Sequence, residues 1–188
     1  MKCDISVIIA TIRPTGMNRV LHYIEQQSIN GLTFEVVIIQ ESDSKHDKFN
    51  VDTKLPINNI VIKRQNVHND YGAAARDVGI LEASGEYLVF WDDDNIYYQH
   101  ALASQYCTAY GFDIGIVRTK HQNIIIPSSN KITAGDIDTM CICVKKEMAV
   151  REKWSNSCGR YSDYRWLSKL LNHKPTINYS KIVIGHHL

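Results

Sequence analysis

No apolar run in this sequence approaches the roughly 20 residues that a helix needs to cross a bilayer. The run Ile5–Ala10 follows Met-Lys-Cys-Asp, is too short for a signal-peptide core and lacks a cleavage site, so a soluble, cytoplasmic protein is expected. No CxxC pair occurs among the five cysteines, Cys3, Cys107, Cys141, Cys143 and Cys158. An odd, scattered set argues against a disulfide framework and for reduced thiols. Cys141 and Cys143 are expected to be buried on one face of a strand, since zinc would require a second pair of ligands. A surplus of one charge is missing too: the formal net charge is +1, which gives no basic surface for nucleic acid or an anionic membrane. Two phosphate-binding signatures are absent. There is no GxxxxGK[ST] and no GxGxxG after the first strand, which excludes a P-loop and a dinucleotide site.

What remains is an ordinary globular composition, 44% apolar over 188 residues, enough for one domain with a substantial core. No repeat, low-complexity segment or linker divides it. The first half alternates strand and helix. Strands are expected at Ile5–Ala10, Phe34–Ile39, Ile60–Lys63 and Tyr87–Trp91, with helices at Met17–Gln27 and Ala73–Ala83 between them. Arg13-Pro14-Thr15-Gly16 reads as a turn and Gln40 to Ser44 as a polar loop. Three β–α alternations followed by a strand imply a largely parallel sheet with helices on both sides. The second half is less regular, with a helix at Gln99–Tyr110, short strands at Asp113–Val117, Asn123–Ile126 and Thr139–Val144, a helix at Tyr164–Leu171 and a closing strand at Ile182–Ile184.

The most informative stretch is Gly85 to Asn95, GEYLVFWDDDN, where an apolar strand stops at three consecutive carboxylates, Asp92, Asp93 and Asp94. Adjacent acids at a buried strand end repel one another and resist desolvation, so a positive partner is expected there. A hard divalent ion such as Mg²⁺ or Mn²⁺ is one answer, because it takes carboxylate oxygens and shares its other positions with water or phosphate. A solvated acidic turn capping the next helix is the other. Thr11 and Glu41 also fall at expected strand ends, where ligands of parallel α/β sheets bind. An aspartyl phosphatase would want its carboxylates after the first strand, which here leads only to Thr11 and Arg13.

Four segments carry a resemblance to a known family. Ser6-Val7-Ile8-Ile9-Ala10-Thr11 resembles the opening strand of family 2 glycosyltransferases with the GT-A fold, and Phe34 to Glu41 is similar to their second strand. Gly72 to Asn95 resembles their helix, GEY turn and acidic strand end, and Tyr161 to Leu167 matches the region of their Glu-Asp motif. The order is the family's. Departures are Gln40-Glu41 for Asp-Asp, Asp77 for Asn, and Ser162 for the Glu before Asp163.

The resemblance implies an α/β GT-A fold over residues 1–188, a Rossmann-like three-layer α/β/α sandwich with a mainly parallel mixed sheet. Residues 1–98 would bind the nucleotide and 99–188 the acceptor. It implies transfer of a sugar from a UDP-sugar to a saccharide or other hydroxyl acceptor, with inversion and with Mn²⁺ or Mg²⁺. Glu41 would accept the uracil N3–H, and Thr11 and Ile12 would line the base and ribose pocket. Asp92 and Asp93 would hold ribose hydroxyls or metal-bound water, Asp94 and His187 would bind the metal, and Arg76 would pair with phosphate or the triplet. Asp163 would be the general base, with a helix-dipole acid as its structural alternative. Asp138, with Trp166 or Trp154 as an apolar face, would meet the acceptor; turn acids and core tryptophans are the other reading. The remaining histidines, His121 among them, read as surface residues. The competing functions are a sugar-nucleotide nucleotidyltransferase, which would want a Gly-rich basic loop after the first strand, and a binding module that keeps the fold without turnover.

Overall fold

A computed structural model describes residues 3–29, 31–42, 51–56, 59–66 and 69–188; Asp43 and Ser44, expected in a polar loop, lie outside them. The strands are β1 (Ile5–Thr11), β2 (Phe34–Glu41), β3 (Ile60–Gln65), β4 (Tyr87–Phe90), β5 (Ile96–Tyr97), β6 (Ile114–His121), β7 (Ile124–Ile126), β8 (Ile142–Lys145) and β9 (Ile177–His187). The helices are α1 (Pro14–Glu25), α2 (Ala73–Glu82), α3 (Ala101–Ala109), α4 (Lys146–Ala149) and α5 (Ser162–Leu171). Strand order is β3-β2-β1-β4-β8-β6-β9-β5, with β7 paired to β6. The first four of these run parallel; β8 then runs antiparallel to both β4 and β6, and β9 lies parallel to β6.

Both faces of the sheet are covered, which is why the central strands read as unbroken apolar runs. Alternate residues Val37 and Ile39 face a core shared with α2 and α5, whereas Val36 and Ile38 face one shared with α1 and α3. The β-branched side chains suit this setting, because a stiff branched chain packs well on a pleated surface. Helix α1 starts at Pro14, three residues before the expected Met17, because a proline's fixed φ and missing N–H suit the first helical position. Helix α2 starts where Asp70 accepts the Ala73 and Ala74 N–H groups at 3.0 and 2.8 Å.

Three expectations need correction. Thr139–Cys141 forms a 3-10 turn, not the start of a strand, because the Asp138 carboxylate accepts the Met140 N–H at 2.9 Å. In consequence Cys141 and Cys143 are buried in opposite cores rather than on one strand face. Burial raises the pKa of both thiols, which keeps them protonated. The closing strand is also longer than Ile182–Ile184. As β9 it runs along β6 and then pairs with β5, which carries it back to the edge where the acidic triplet lies.

The turn that introduces β4 is fixed tightly. The Gly85 N–H donates to the Ser6 hydroxyl at 2.8 Å, and that hydroxyl donates to Glu35 at 2.6 Å. A Cβ on Gly85 would stand 2.6 Å from the Ser6 nitrogen and 2.8 Å from the Ile5 carbonyl carbon. Backbone, not a flexible side chain, would have to move. Gly85→Ala is therefore expected to lower unfolding free energy by about 1–3 kcal/mol, read from chemical denaturation.

Candidate active site

The carboxyl ends of β1, β2 and β4 lie side by side, and residues just beyond them line an open cleft of about 1060 Å³. Ten of its lining residues are expected site residues: Thr11, Ile12, Glu41, Arg76, Asp92, Asp93, Asp94, Asp138, Asp163 and His187. The chain brings them together from both halves.

The three acids after β4 diverge, and each meets a different partner. Asp92 accepts from Arg76 Nη2 at 2.5 Å and from the Thr139 hydroxyl at 2.7 Å. Its own N–H donates to the Tyr97 hydroxyl at 2.8 Å, and the Tyr97 ring stacks on Trp91 with centroids 3.8 Å apart. Asp93 is buried. Its carboxylate accepts from the Thr11 hydroxyl and from the Arg13 guanidinium, and Arg19 donates to its carbonyl at 2.8 Å. Asp94 turns outward with its side chain 45% exposed, and one oxygen lies 2.9 Å from Arg13 Nη2. Hydrogen bonding to Asp93, helped by Asp94, raises the Arg13 pKa further above its ordinary value.

The other walls carry the remaining residues. Glu41 is buried at the end of β2 and accepts from Gln65 at 2.9 Å, while Ile12 is exposed at the cleft. Arg76 projects from α2, where its Nη1 donates to the Tyr71 carbonyl at 2.7 Å and its guanidinium lies 5.1 Å from the Trp154 ring centre. On the far side, Asp163 is the second residue of α5, and burial pushes its carboxyl up to about 6. Asp138 is likewise raised, first by burial and then by Asp92, with His187 opposing. His187 Nδ1 lies 3.3 Å from the Asp138 carboxylate and 2.6 Å from His121 Nδ1.

Some expectations fail on placement. Trp166 is fully buried, stacks on Trp154 at 4.3 Å and donates its indole N–H to the Glu152 carbonyl. Neither tryptophan is available as a face for an acceptor. Asp138 lines the cleft but is spent largely on its own backbone and on His187, and its neighbour Asp136 accepts from Ser128. His121, expected at the surface, lines the cleft instead. Asp77 departs from the family pattern for a structural reason: its carboxylate accepts the Trp154 and Ser155 N–H groups at 2.7 and 3.1 Å.

Arg13, Thr139 and His121 join the cleft without being expected site residues. The strand-end rule that selects Thr11 extends two residues on, to Arg13. His121 meets His187 through the β6–β9 register, which no local pattern reveals.

Among the described residues, no three His, Cys, Asp or Glu side chains converge as a ready metal cage. The donor set does fit an ion that keeps most of its ligands from water and phosphate, as Mg²⁺ and Mn²⁺ do. Asp94 offers an accessible carboxylate oxygen, and Asp138 orients the His187 ring beside the same cleft.

The glycosyl transferase family 2 pattern matches residues 6–118, more than half of the chain. The chain belongs to this family. Curated proteins give no match. Among solved structures, Staphylococcus aureus TarS (residues 1–349) in complex with UDP superposes with a TM-score of 0.72 at 15% identity, covering 98% of this chain and 60% of that one. The mannosyltransferase PcManGT from Pyrobaculum calidifontis, in complex with GDP-Man and Mn²⁺, gives 0.70 at 14% identity, covering 100% of this chain and 57% of that one. At such identity the likeness shows the fold alone, the mixed α/β architecture of GT-A glycosyltransferases. This chain spans at most 60% of the length of these two structures.

The Asp163 shift has a consequence for stability. Its ordinary value is 3.8 and its folded value about 6, so ionising it costs the folded state more than the unfolded one. Stability is therefore given up as pH rises through that interval, and an amide escapes the loss. Asp163→Asn is expected to raise the melting temperature relative to the parent at about pH 8 and to lose that advantage at about pH 4. Calorimetric scans at both values check this.

Proposed function

We propose that this chain is the catalytic domain of a metal-dependent transferase that moves a sugar from a UDP-sugar to a hydroxyl group of a saccharide or other acceptor, with inversion. One observation carries the reading: a single cleft holds both the acidic end of β4 and a carboxyl group, Asp163, whose pKa is pushed up to about 6. A base of that strength is largely ionised near neutral pH yet basic enough to accept a proton. Residues 1–98 serve as the donor half and 99–188 as the acceptor half.

In this reading Glu41 accepts the uracil N3–H, with Thr11 and Ile12 against the base and ribose. Asp92, steadied by Arg76, holds ribose hydroxyls or metal-bound water, whereas Asp93, expected to share that role, is turned inward onto Thr11 and Arg13. Asp94 and His187 hold Mn²⁺ or Mg²⁺, which when bound screens the charge on the departing diphosphate. Asp163 takes the proton from the acceptor hydroxyl as its oxygen bonds to the anomeric carbon. The bond from that carbon to the diphosphate oxygen breaks on the opposite face, and the electron pair leaves with UDP. Helix α5 aims the carboxylate rigidly, which supports the in-line geometry. The matched family and the nucleotide-bound structural relatives support this assignment; a binding module without turnover is the reading it has to beat.

Asp163→Asn is expected to keep UDP affinity and lower transfer by about 100-fold or more. In the parent, kcat/KM should rise with pH through about 6, as the base loses its proton, and the variant should lose this limb. Parental transfer by the variant would exclude Asp163 as the base. Asp94→Ala is expected to remove the gain in UDP affinity that Mn²⁺ confers, compared by titration calorimetry with the ion and with a chelator.

A further inference from the structure

We propose that Arg13 is a cationic ligand for the diphosphate of the nucleotide, held at the cleft by the acidic turn and able to act without a divalent ion. The inference rests on the reading of the cleft as a nucleotide-sugar site.

Arg13 follows β1 at the edge where the cleft opens, and its N–H donates to the Thr11 hydroxyl oxygen at 3.0 Å. The guanidinium reaches both later acids of the triplet, but its two attachments differ. Asp93 is 3% exposed and is also held by Thr11, so that attachment is fixed. Asp94 is 45% exposed, and an ion pair open to water is weak and readily exchanged. The Nη2 contact to Asp94 is therefore the one that an incoming anion or cation displaces. With Asp94 engaged by a divalent ion, the guanidinium would stay anchored on Asp93 and keep a donor free for the phosphates. Without that ion, the phosphates can take the donor themselves. The planar, permanently charged fork suits phosphate oxygens.

The other arginines of the cleft are less available. Arg76 has a side chain only 9% exposed and donates to both Asp92 and the Tyr71 carbonyl. Arg160 lies over the Tyr161 ring, 4.8 Å from its centre, on the wall that carries Asp163. Arg13 is half exposed on the donor side.

The test is titration calorimetry of UDP and of uridine against the parent chain, Arg13→Gln and Arg13→Lys, each with a chelator and with saturating Mn²⁺. Without metal, Arg13→Gln is expected to weaken UDP binding by about tenfold or more and to leave uridine binding unchanged. With Mn²⁺ the loss should shrink. Arg13→Lys, which keeps the charge and protects the fold if the amide does not, should recover part of the UDP affinity. Unchanged UDP binding by Arg13→Gln under chelation overturns the proposal, as does an equal fall for UDP and uridine, which would mark a distorted turn. If the parent binds UDP with Mn²⁺ while Arg13→Gln matches it throughout, only the role of Arg13 falls. If the parent binds UDP under neither condition, the nucleotide-sugar reading falls with it.

Discussion

Charge compensation at the end of β4 is the constraint on which the rest of the structure turns. The strand is fully buried, and a buried carboxylate left unpaired costs several kcal/mol, commonly about 3–5 when one partner of an ion pair is removed. The chain meets this cost from two sides. Arg76 comes from α2 to Asp92, and Arg13 comes from the end of β1 to Asp93. Thr11 and Thr139 add hydroxyl donors from β1 and from the turn before β8. A strand, a helix and a distant turn are thereby tied to one corner, and the third acid is left pointing into the cleft.

The acids of the cleft divide by environment. Asp92 and Asp93 have arginines against them, whereas the half-buried Asp163 has none in direct contact among the described residues. Desolvation without a contacting cation is what raises the proton affinity of Asp163. This contrast separates a group suited to holding ligands from a group suited to taking a proton.

Much of this is legible in the amino-acid sequence. Parallel strands covered on both faces leave apolar runs, β-branched in β1 and β2 and half aromatic in β4, so all three announce themselves, and the strand-end rule then collects Thr11, Glu41 and the triplet. Residues whose placement depends on partners far along the chain were not legible. Thr139–Cys141 turns because Asp138 caps it, and this reverses the faces of Cys141 and Cys143. Trp166 lies on an apolar helical stripe that says it is buried but not against what. Its partner Trp154 is brought there by a capping contact from Asp77, which the sequence offers only as an odd residue at a family position.

That capping contact has a mechanical consequence. Arg76 and Asp77 are consecutive in α2, yet one reaches the acidic corner and the other grips the segment at Trp154. The Arg76 guanidinium sits over the same indole, and Phe90 of β4 meets both tryptophans edge-on. The described segments flanking the groove are thus stitched through a single helical turn. The side chains left outside this stitching stand at the rim, where Ile12, Tyr71 and Tyr161 are exposed to an incoming substrate.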